Sequence, residues 1–413
     1  MTKMNLKDLL DNSTDKSLSD QKWYKLRQTI VKSLLSNGNS TINELSSELQ
    51  SSVPTVTKAV NELLAEGYMI DMGKVTNSSG RRPSLYSINP TSAYFMGVEV
   101  NAANISIGLQ NIKNEFVSIE IELPFVLKHT HESLLDFCNV LNSYIEDSSI
   151  EKDMIVGVCI NFSGRINSME GFSFNYFFSE NRPLTEIISE QLNLPVHLEN
   201  DSRAMAFGEY CEGVVDHEQN ILYLNYSWGV AIGIMTDGKL YYGKSGYSGE
   251  FGHSTIFNNG IICQCGKLGC LETEISGWSL VKQFQDAIKS GKQSKITIDD
   301  TQTAPQHRII IEGAVKLEDS LCIDLVTKQS EKMGQYLSIL LNIFNPELLV
   351  IGGDFARLGD YAILPIRAAL KKHSLGLVNR DMKLKKSTLG QRAGVIGACC
   401  IVKEKMLSPL LNK

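Results

Sequence analysis

The sequence predicts an α/β protein in which a small helix-rich unit precedes two larger lobes of alternating strands and helices. Three observations carry this. Residues 20–64 hold three stretches with apolar residues at helical spacing, and two strand-like runs follow them. From residue 93 strands and helices alternate, and after about residue 219 the theme repeats. A chain of 413 residues is also too long for one compact core. The expected domains are residues 1–90, 91–215 and 216–413, with a C-terminal helix free to pack back on the first lobe.

The run "DQKWYKLRQTIVKSLLS" places Trp23, Leu26, Ile30 and Leu34 at helical spacing, and "NGNS" stops it. Ser40 or Thr41 caps a second helix, "TINELSSELQ", with Glu44 as the capping-box partner of Thr41. After a break at "SS", "VPTVTKAVNELLAEG" sets Val56, Val60, Leu63 and Leu64 in one stripe ending at Gly67. Then "YMIDMGKV" and "SLYSINP" read as strands joined by "TNSSGRRP". Three short helices and a hairpin make the winged helix-turn-helix layout.

The second helix of such a pair enters the major groove with its N-terminal turn facing base edges. Here that turn offers Ser52, Thr55, Thr57 and Lys58. In the wing, Gly80 lets the backbone lie close to the sugar edges, and Arg81 and Arg82 suit a narrow A·T-rich minor groove. A helical dimerisation module with a solvated basic loop is the plainer alternative. The order of turn, helix spacing and arginine-tipped wing favours double-stranded DNA.

Charge agrees with this division. Residues 1–90 carry eleven Lys and Arg against nine Asp and Glu, whereas the remainder carries 29 against 37. The acidic bulk would not approach DNA unaided. The N-terminal run intersperses acids and has no long apolar stretch, so neither a secretion signal nor a membrane span is expected and the cytoplasm is the default location. Nine cysteines, an odd number, suit a reducing compartment, and six of them read as core fillers.

In the first lobe, "AYFMGVEVNAANISIGLQNIKNEFVSIEIEL" reads as three strands in a meander and "SLLDFCNVLNSYIED" as a helix. "MIVGVCINFSG" is a buried strand, and "PLTEIISEQLNLPVHLENDSRAMAFGEY" reads as helix, strand and helix. The second lobe repeats this with "NILYLNYSWGVAIGIMTDGKLYYG", the helix "SEKMGQYLSILLNIF" and the buried strand "ELLVIGG". A ligand cleft between the lobes, at the carboxyl ends of strands, is expected.

One cluster stands apart. His253, Cys263, Cys265 and Cys270 give H-x9-C-x-C-x4-C, and four such ligands with no spare position favour a closed, structural zinc site. A C-x-C redox pair or simple buried thiols are the alternatives, and neither explains the histidine.

The ordering from about residue 94 to 402, with "LENDSRAMAFGE" and "GYSGEFGH...CQCGKLGCLE" as its most specific pieces, resembles the ROK family of bacterial sugar kinases and sugar-responsive repressors. The N-terminal winged helix matches the repressor branch. The resemblance implies a two-lobed actin-like domain, of the sugar-kinase and ribonuclease H-like fold, and a zinc site that staples the loop shaping the sugar pocket. It places Glu250, His253 and Glu272 on one wall, where carboxylates accept bonds from sugar hydroxyls. Asn200 and Asp201, where a strand meets a helix, form the other wall. In the family's kinases the aspartate matching Asp201 is the general base, although such a residue can equally be an N-cap. "NFSGRIN" resembles the family's sugar loop, with Ser163 and Gly164 as contacts.

A kinase also needs phosphate loops. The family's Asp-x-Gly-Gly-Thr turn reads Glu99, Val100, Asn101, Ala102, Ala103 here, and its Gly-Thr-Gly turn reads "SWGVAIG", with Trp228 in place of threonine. "LLVIGGDFARLGD" still resembles the adenosine loop. The expectation is therefore a sugar-responsive DNA-binding repressor that is not an enzyme, acting as a homodimer or dimer of dimers on an operator, with a sugar or sugar phosphate as effector. Arg165 and Arg182 are candidates for contacting a phosphate, with a solvated role as the plainer reading. An active ATP-dependent hexose kinase with a DNA-binding arm is the alternative.

Overall fold

The computed structural model describes residues 18–74, 83–101, 103–177, 181–299 and 301–411. Helices α1 (Leu18–Asn37), α2 (Ile42–Glu48) and α3 (Val53–Ala65) come first. Strands β1 (Ser40–Thr41), β2 (Met69–Lys74) and β3 (Ser84–Ile88) form a small sheet in the order β1-β3-β2. Thr41, not Ser40, caps α2, and its capping box with Glu44 is complete. Of the expected α3 stripe, Val56, Val60 and Leu63 are buried while Leu64 is only partly so. Ile30 and Val31 of α1 complete this small core, fully buried.

Two five-stranded sheets follow. The first contains β4 (Tyr94–Val100), β5 (Asn104–Asn111), β6 (Phe116–Pro124), β7 (Ile155–Phe162) and β10 (Val196–Asn200), in the order β10-β7-β4-β5-β6. The second contains β11 (Ile221–Tyr226), β12 (Val230–Thr236), β13 (Lys239–Leu240), β14 (Leu348–Gly352) and β15 (Lys383–Lys386), in the order β13-β12-β11-β14-β15. In each the first strand is central, a meander lies on one side, and the fourth and fifth strands lie on the other. The repeat seen in the sequence is thus a repeat of topology. β14 pairs parallel with both β11 and β15, which explains why "LLVIG" is apolar throughout: every one of its residues is buried.

The chain divides into two compact units. One comprises Met1–Ile160, Tyr176–Leu198 and Ala398–Lys413, and the other Asn161–Asn175 and Glu199–Gly397. The first contains α4 (His131–Asp147) and α5 (Leu184–Leu192). The second contains the short hairpin β8 (Ile166–Asn167) and β9 (Phe172–Ser173), then α6 (Asp201–Glu212), α7 (Gly277–Lys289), α8 (Ala304–Lys316), α9 (Ser320–Phe344), α10 (Asp360–His373) and α11 (Gly376–Asp381). The last helix, α12 (Ala393–Leu411), begins in the second unit and continues in the first.

The cysteine expectation needs one correction. Cys138, Cys159, Cys322, Cys399 and Cys400 are buried, but Cys211 is exposed. It lies in the last turn of α6 and faces solvent, so thiol chemistry alone did not place it inside.

In the second unit the rings of Tyr226 and Phe355 stack with centroids 3.8 Å apart and planes 6° from parallel. Both are fully buried. Phe355 thereby pins the stretch after β14 to the core. Phe355→Ala is expected to lower stability by roughly 3–5 kcal/mol, measured by chemical denaturation against the parent protein.

Candidate functional site

The residues expected to contact sugar all fall in the second unit, where one buried knot positions Asn200 and its neighbours. Arg203 Nε donates to Glu199 Oε1 at 2.7 Å, and both side chains are almost wholly buried. The same oxygen accepts from Ser168 Oγ at 2.9 Å and from the Asn200 N–H at 2.8 Å, and Tyr242 OH reaches Glu199 Oε2 at 3.0 Å. Arg203 Nη1 donates to the Gly246 carbonyl at 2.6 Å. The hairpin, the start of α6 and the 242–246 loop are thus tied to one ion pair.

Asn200 caps α6, its Oδ1 accepting from the Arg203 N–H at 3.1 Å. The cap is Asn200 and not Asp201, which is the first residue of the helix. The Asn200 amide also donates to the Gly164 carbonyl and to Asp201 Oδ1, both at 2.9 Å. It holds the site's geometry from within. Gly164 has φ +93°, and a Cβ there would come within 2.4 Å of Asn175, so no other residue fits the turn. Ser163, beside it, is half-buried.

Asp201 Oδ1 collects three donors, Asn200 Nδ2 at 2.9 Å, the Ser202 N–H at 2.7 Å and Ser202 Oγ at 3.2 Å. Burial nevertheless outweighs these bonds and pushes its carboxyl up to about 6. Glu250 is raised as well, first by burial and further by the charge of Asp201, against the opposing pull of His253. Burial likewise raises Glu272, although its Oε1 accepts from the Val230 N–H at 2.7 Å. The two glutamates flank the His253 ring, with Glu250 Oε2 3.8 Å from Nε2 and Glu272 Oε2 3.9 Å from Nδ1. Two buried carboxylates thus flank one imidazole, and the charge of Asp201 acts on one of them. Such an arrangement accepts hydrogen bonds from a polyhydroxylated ligand.

The sequence reading missed Asn175. Its Oδ1 accepts from the Arg165 N–H at 2.9 Å, and its side chain lies directly against Gly164. A single asparagine in an irregular stretch gives no spacing signal. Of the two arginines considered for phosphate, Arg182 is spent on Glu186 and Glu190.

His253, Cys263, Cys265 and Cys270 do converge, with one ligand atom from each lying within 4.8 Å of the others. Cys263 Sγ stands 3.5 Å from His253 Nδ1, and Cys265 Sγ stands 3.6 Å from Cys270 Sγ. Around a tetrahedral zinc, with sulfur at about 2.3 Å and nitrogen at about 2.0 Å, neighbouring ligand atoms are about 3.5–3.8 Å apart. The donor set and its spacing therefore fit such an ion. Gly269 has φ +71°, and a Cβ there would sit 1.7 Å from the Phe257 carbonyl oxygen, so the backbone can fold this closely only through glycine.

The helix residues expected to contact DNA lie in the first unit. Ser52 caps α3, its Oγ 2.7 Å from Thr55 Oγ1, and Thr57 Oγ1 donates to the Val53 carbonyl at 2.7 Å. The hydroxyls expected to face bases are engaged within the helix itself. Lys58 is exposed, and its ammonium lies over the Trp23 ring at 4.8 Å. Trp23 Nε1 in turn donates to Glu62 Oε2 at 2.8 Å. Val53, Pro54, Thr57, Lys58 and Asn61 line one shallow groove along α3. Asn61, one turn after Thr57, was legible from i,i+4 spacing and was not singled out. Gly80, Arg81 and Arg82 lie outside the described residues.

Comparison with known proteins accords with both parts. Residues 96–405 match the family model described as the ROK family, and residues 25–68 match that of a winged helix-turn-helix DNA-binding domain. A xylose repressor of Caldicellulosiruptor bescii is 28% identical over 383 residues, covering 92% of this chain and 95% of that protein. The DNA-binding transcriptional dual regulator NagC of Escherichia coli is 24% identical over 372 residues, covering 89% of each. A glucokinase of Halalkalibacterium halodurans is 28% identical over 317 residues, covering 76% of this chain and 96% of its own. Among solved structures, a ROK family transcriptional regulator, a homologue of the E. coli Mlc protein, superposes with TM-score 0.77 at 23% identity, covering 94% of this chain and 97% of its own.

The cysteine cluster yields a direct test. The purified chain is expected to carry one zinc per protomer by elemental analysis, and Cys263→Ser and Cys270→Ser to lose it. Because binding energy at a structural zinc is folding energy, chelation should also lower the thermal midpoint.

Proposed function

The chain belongs to the ROK family, and on that premise we infer that it is a sugar-responsive, DNA-binding transcriptional repressor, released from its operator by a sugar or sugar phosphate. One observation carries this reading: a single chain joins an exposed recognition-helix face to a cluster of carboxyls whose charge is disfavoured by burial. Asp201, Glu250 and Glu272 would accept the effector's hydroxyls, with Asn175 and His253 as donors. Ser163 and Gly164 would shape the loop beside them.

His253, Cys263, Cys265 and Cys270 would hold a structural zinc. Bound there, the metal supplies no chemistry beyond fixing the loop. The residues themselves do the rest: the turn through Gly269 brings Glu272 beside the His253 ring, and the ring separates the two glutamates.

We place recognition ahead of catalysis. In the turn after β4, the Asn101 N–H donates to the Asn104 carbonyl at 2.9 Å and its amide to Asn104 Oδ1 at 3.1 Å. The turn therefore closes on itself, without the glycines that would let a phosphate approach its N–H groups. Trp228 packs half-buried against the apolar core. A kinase reading is favoured by Asp201, since a carboxyl raised to about 6 suits a general base, and by the likeness to a glucokinase. The two readings separate on ATP-dependent phosphorylation of glucose, xylose or N-acetylglucosamine, which the repressor reading expects to be absent.

No helix among the described residues is long and apolar enough to cross a membrane. Two half-sites need two recognition helices, so a homodimer or a dimer of dimers would occupy the operator.

The decisive measurement is fluorescence anisotropy on the chain's own promoter DNA, titrated with these sugars and their phosphates. One of them is expected to weaken operator binding about tenfold or more, with DNA weakening sugar binding by the same factor. No shift at saturation with any of them would overturn the reading. Lys58→Ala should weaken binding to all DNA sequences and reduce the salt slope by about 0.9. Asp201 accepts hydroxyl bonds best as the carboxylate, the form that prevails above its raised value. The sugar response should therefore be full at neutral pH and fade as pH falls through about 6, and Asp201→Asn should bind operator normally but respond weakly at every pH.

A further inference from the structure

Beside the carboxylate cluster lies a surface that monosaccharide recognition leaves unused. Phe174 and Tyr247 are 49% and 40% exposed. Their rings meet edge to face, with centroids 5.8 Å apart at 72°. Single exposed aromatics are ordinary, but a paired platform held in place is not. This one is held. Phe174 continues β9, its N–H donating to the Arg165 carbonyl across the hairpin at 3.0 Å. Tyr247 follows Gly246, whose carbonyl the buried Arg203 grips. The ion pair that positions Asp201 thus also sets Tyr247 against Phe174.

Arg165 completes the surface. Its side chain is exposed, with no hydrogen bond or ion pair to its guanidinium among the described residues. It still lies close enough to Glu250, His253 and Tyr247 to act on their charges. The platform is therefore continuous with the proposed effector site: Asn175 follows Phe174, and Glu250 lies three residues beyond Tyr247.

We propose that this platform is a second sugar subsite, and that the effector is a disaccharide whose second ring rests on Phe174 and Tyr247 while Arg165 donates to its hydroxyls. The chemistry fits a neutral ring. Sugar C–H bonds carry partial positive charge and pack on the negative face of an aromatic ring, and a free guanidinium offers five donors. A phosphate fits poorly here. One arginine would have to hold it among Glu170, whose charge reaches Tyr247, and Glu250, itself under the influence of Asp201.

The proposal rests on the sugar-responsive reading, and the test keeps the two apart. Isothermal titration calorimetry on the full chain would use matched pairs: glucose and cellobiose, xylose and xylobiose, N-acetylglucosamine and its β1,4-linked dimer, each beside the 6- or 5-phosphate of the monosaccharide. One disaccharide is expected to bind about tenfold tighter than its monosaccharide. Phe174→Ala and Tyr247→Ala should each erase most of that gap while leaving the monosaccharide affinity unchanged, and Phe174→Trp should restore it. Both side chains are exposed, so melting curves should match the parent; if either alanine variant misfolds, Arg165→Gln serves in its place, with a loss larger for the disaccharide than for its monosaccharide. A monosaccharide or sugar phosphate that binds as tightly as any disaccharide, with no effect of the aromatic substitutions, would overturn the subsite and leave the sugar reading intact. Binding of none of these ligands would overturn both.

Discussion

The arrangement of the second unit depends on one buried ion pair, Glu199 with Arg203. A carboxylate and a guanidinium removed from water carry a desolvation penalty of several kcal/mol each, and mutual attraction repays it only when the remaining hydrogen-bonding capacity is also satisfied. Here it is largely satisfied: Glu199 accepts from Ser168, Tyr242 and the Asn200 backbone as well as from Arg203, and Arg203 also donates to the Gly246 carbonyl. The pair therefore works less as a source of stability than as a fixed point. The hairpin, the first turn of α6 and the 242–247 loop can each satisfy it in only one arrangement. Asn200, Asp201, Gly164 and Tyr247 take their places from that arrangement.

A second set of polar contacts runs outward from Asp201. Ser202 Oγ contacts Asp201 and accepts from the Asn225 amide at 3.0 Å, Ser227 Oγ donates to Asn225 Oδ1 at 2.9 Å, and the Asp354 N–H donates to Ser227 Oγ at 3.0 Å. Asp354 then pairs with Arg308 at 2.8 Å and with Arg357 at 2.7 Å. Glu312 lies beside both arginines, its carboxyl raised by burial and pulled back by Arg308. In the loop that resembles an adenosine-binding segment, Asp354 and Arg357 thus both have partners from the chain. A ligand seeking these arginines would first have to displace carboxylates already held there.

What could be read from the sequence follows the range of the forces involved. Local signals were legible: the Thr41–Glu44 capping box, the apolar stripe of α3, the parallel-strand run at Leu348–Gly352 and the spacing of His253 with Cys263, Cys265 and Cys270. These depend on neighbours in sequence. Contacts made across the fold were not legible. Glu199 and Arg203 stand four apart at a strand-to-helix boundary and look like a solvated pair, yet they are buried because two distant segments fold over them. The same holds for Asn175, whose meaning comes only from Gly164 lying against it, and for Cys211, whose exposure depends on what fails to cover the end of α6. The hydroxyls of Ser52, Thr55 and Thr57 are also engaged locally, within the helix itself, a competition that a sequence pattern does not display.

The carboxylate cluster carries its own conclusion about how a ligand could act at a distance. Asp201, Glu250 and Glu272 are all raised by burial, so each charge is held at a cost in the free protein. A ligand that brings hydroxyl donors relieves that cost, but only in the conformation where the three acceptors converge. An effector shifts an equilibrium by no more than its difference in affinity between two states, and acceptors whose charged form is disfavoured by burial until the ligand arrives add to that difference. The knot at Glu199 keeps Asp201 in place, while the turn through Gly269 keeps Glu272 beside His253. Rigid anchors on separate segments, with buried charge between them, are what a site needs if it is to favour one state of the chain that carries it.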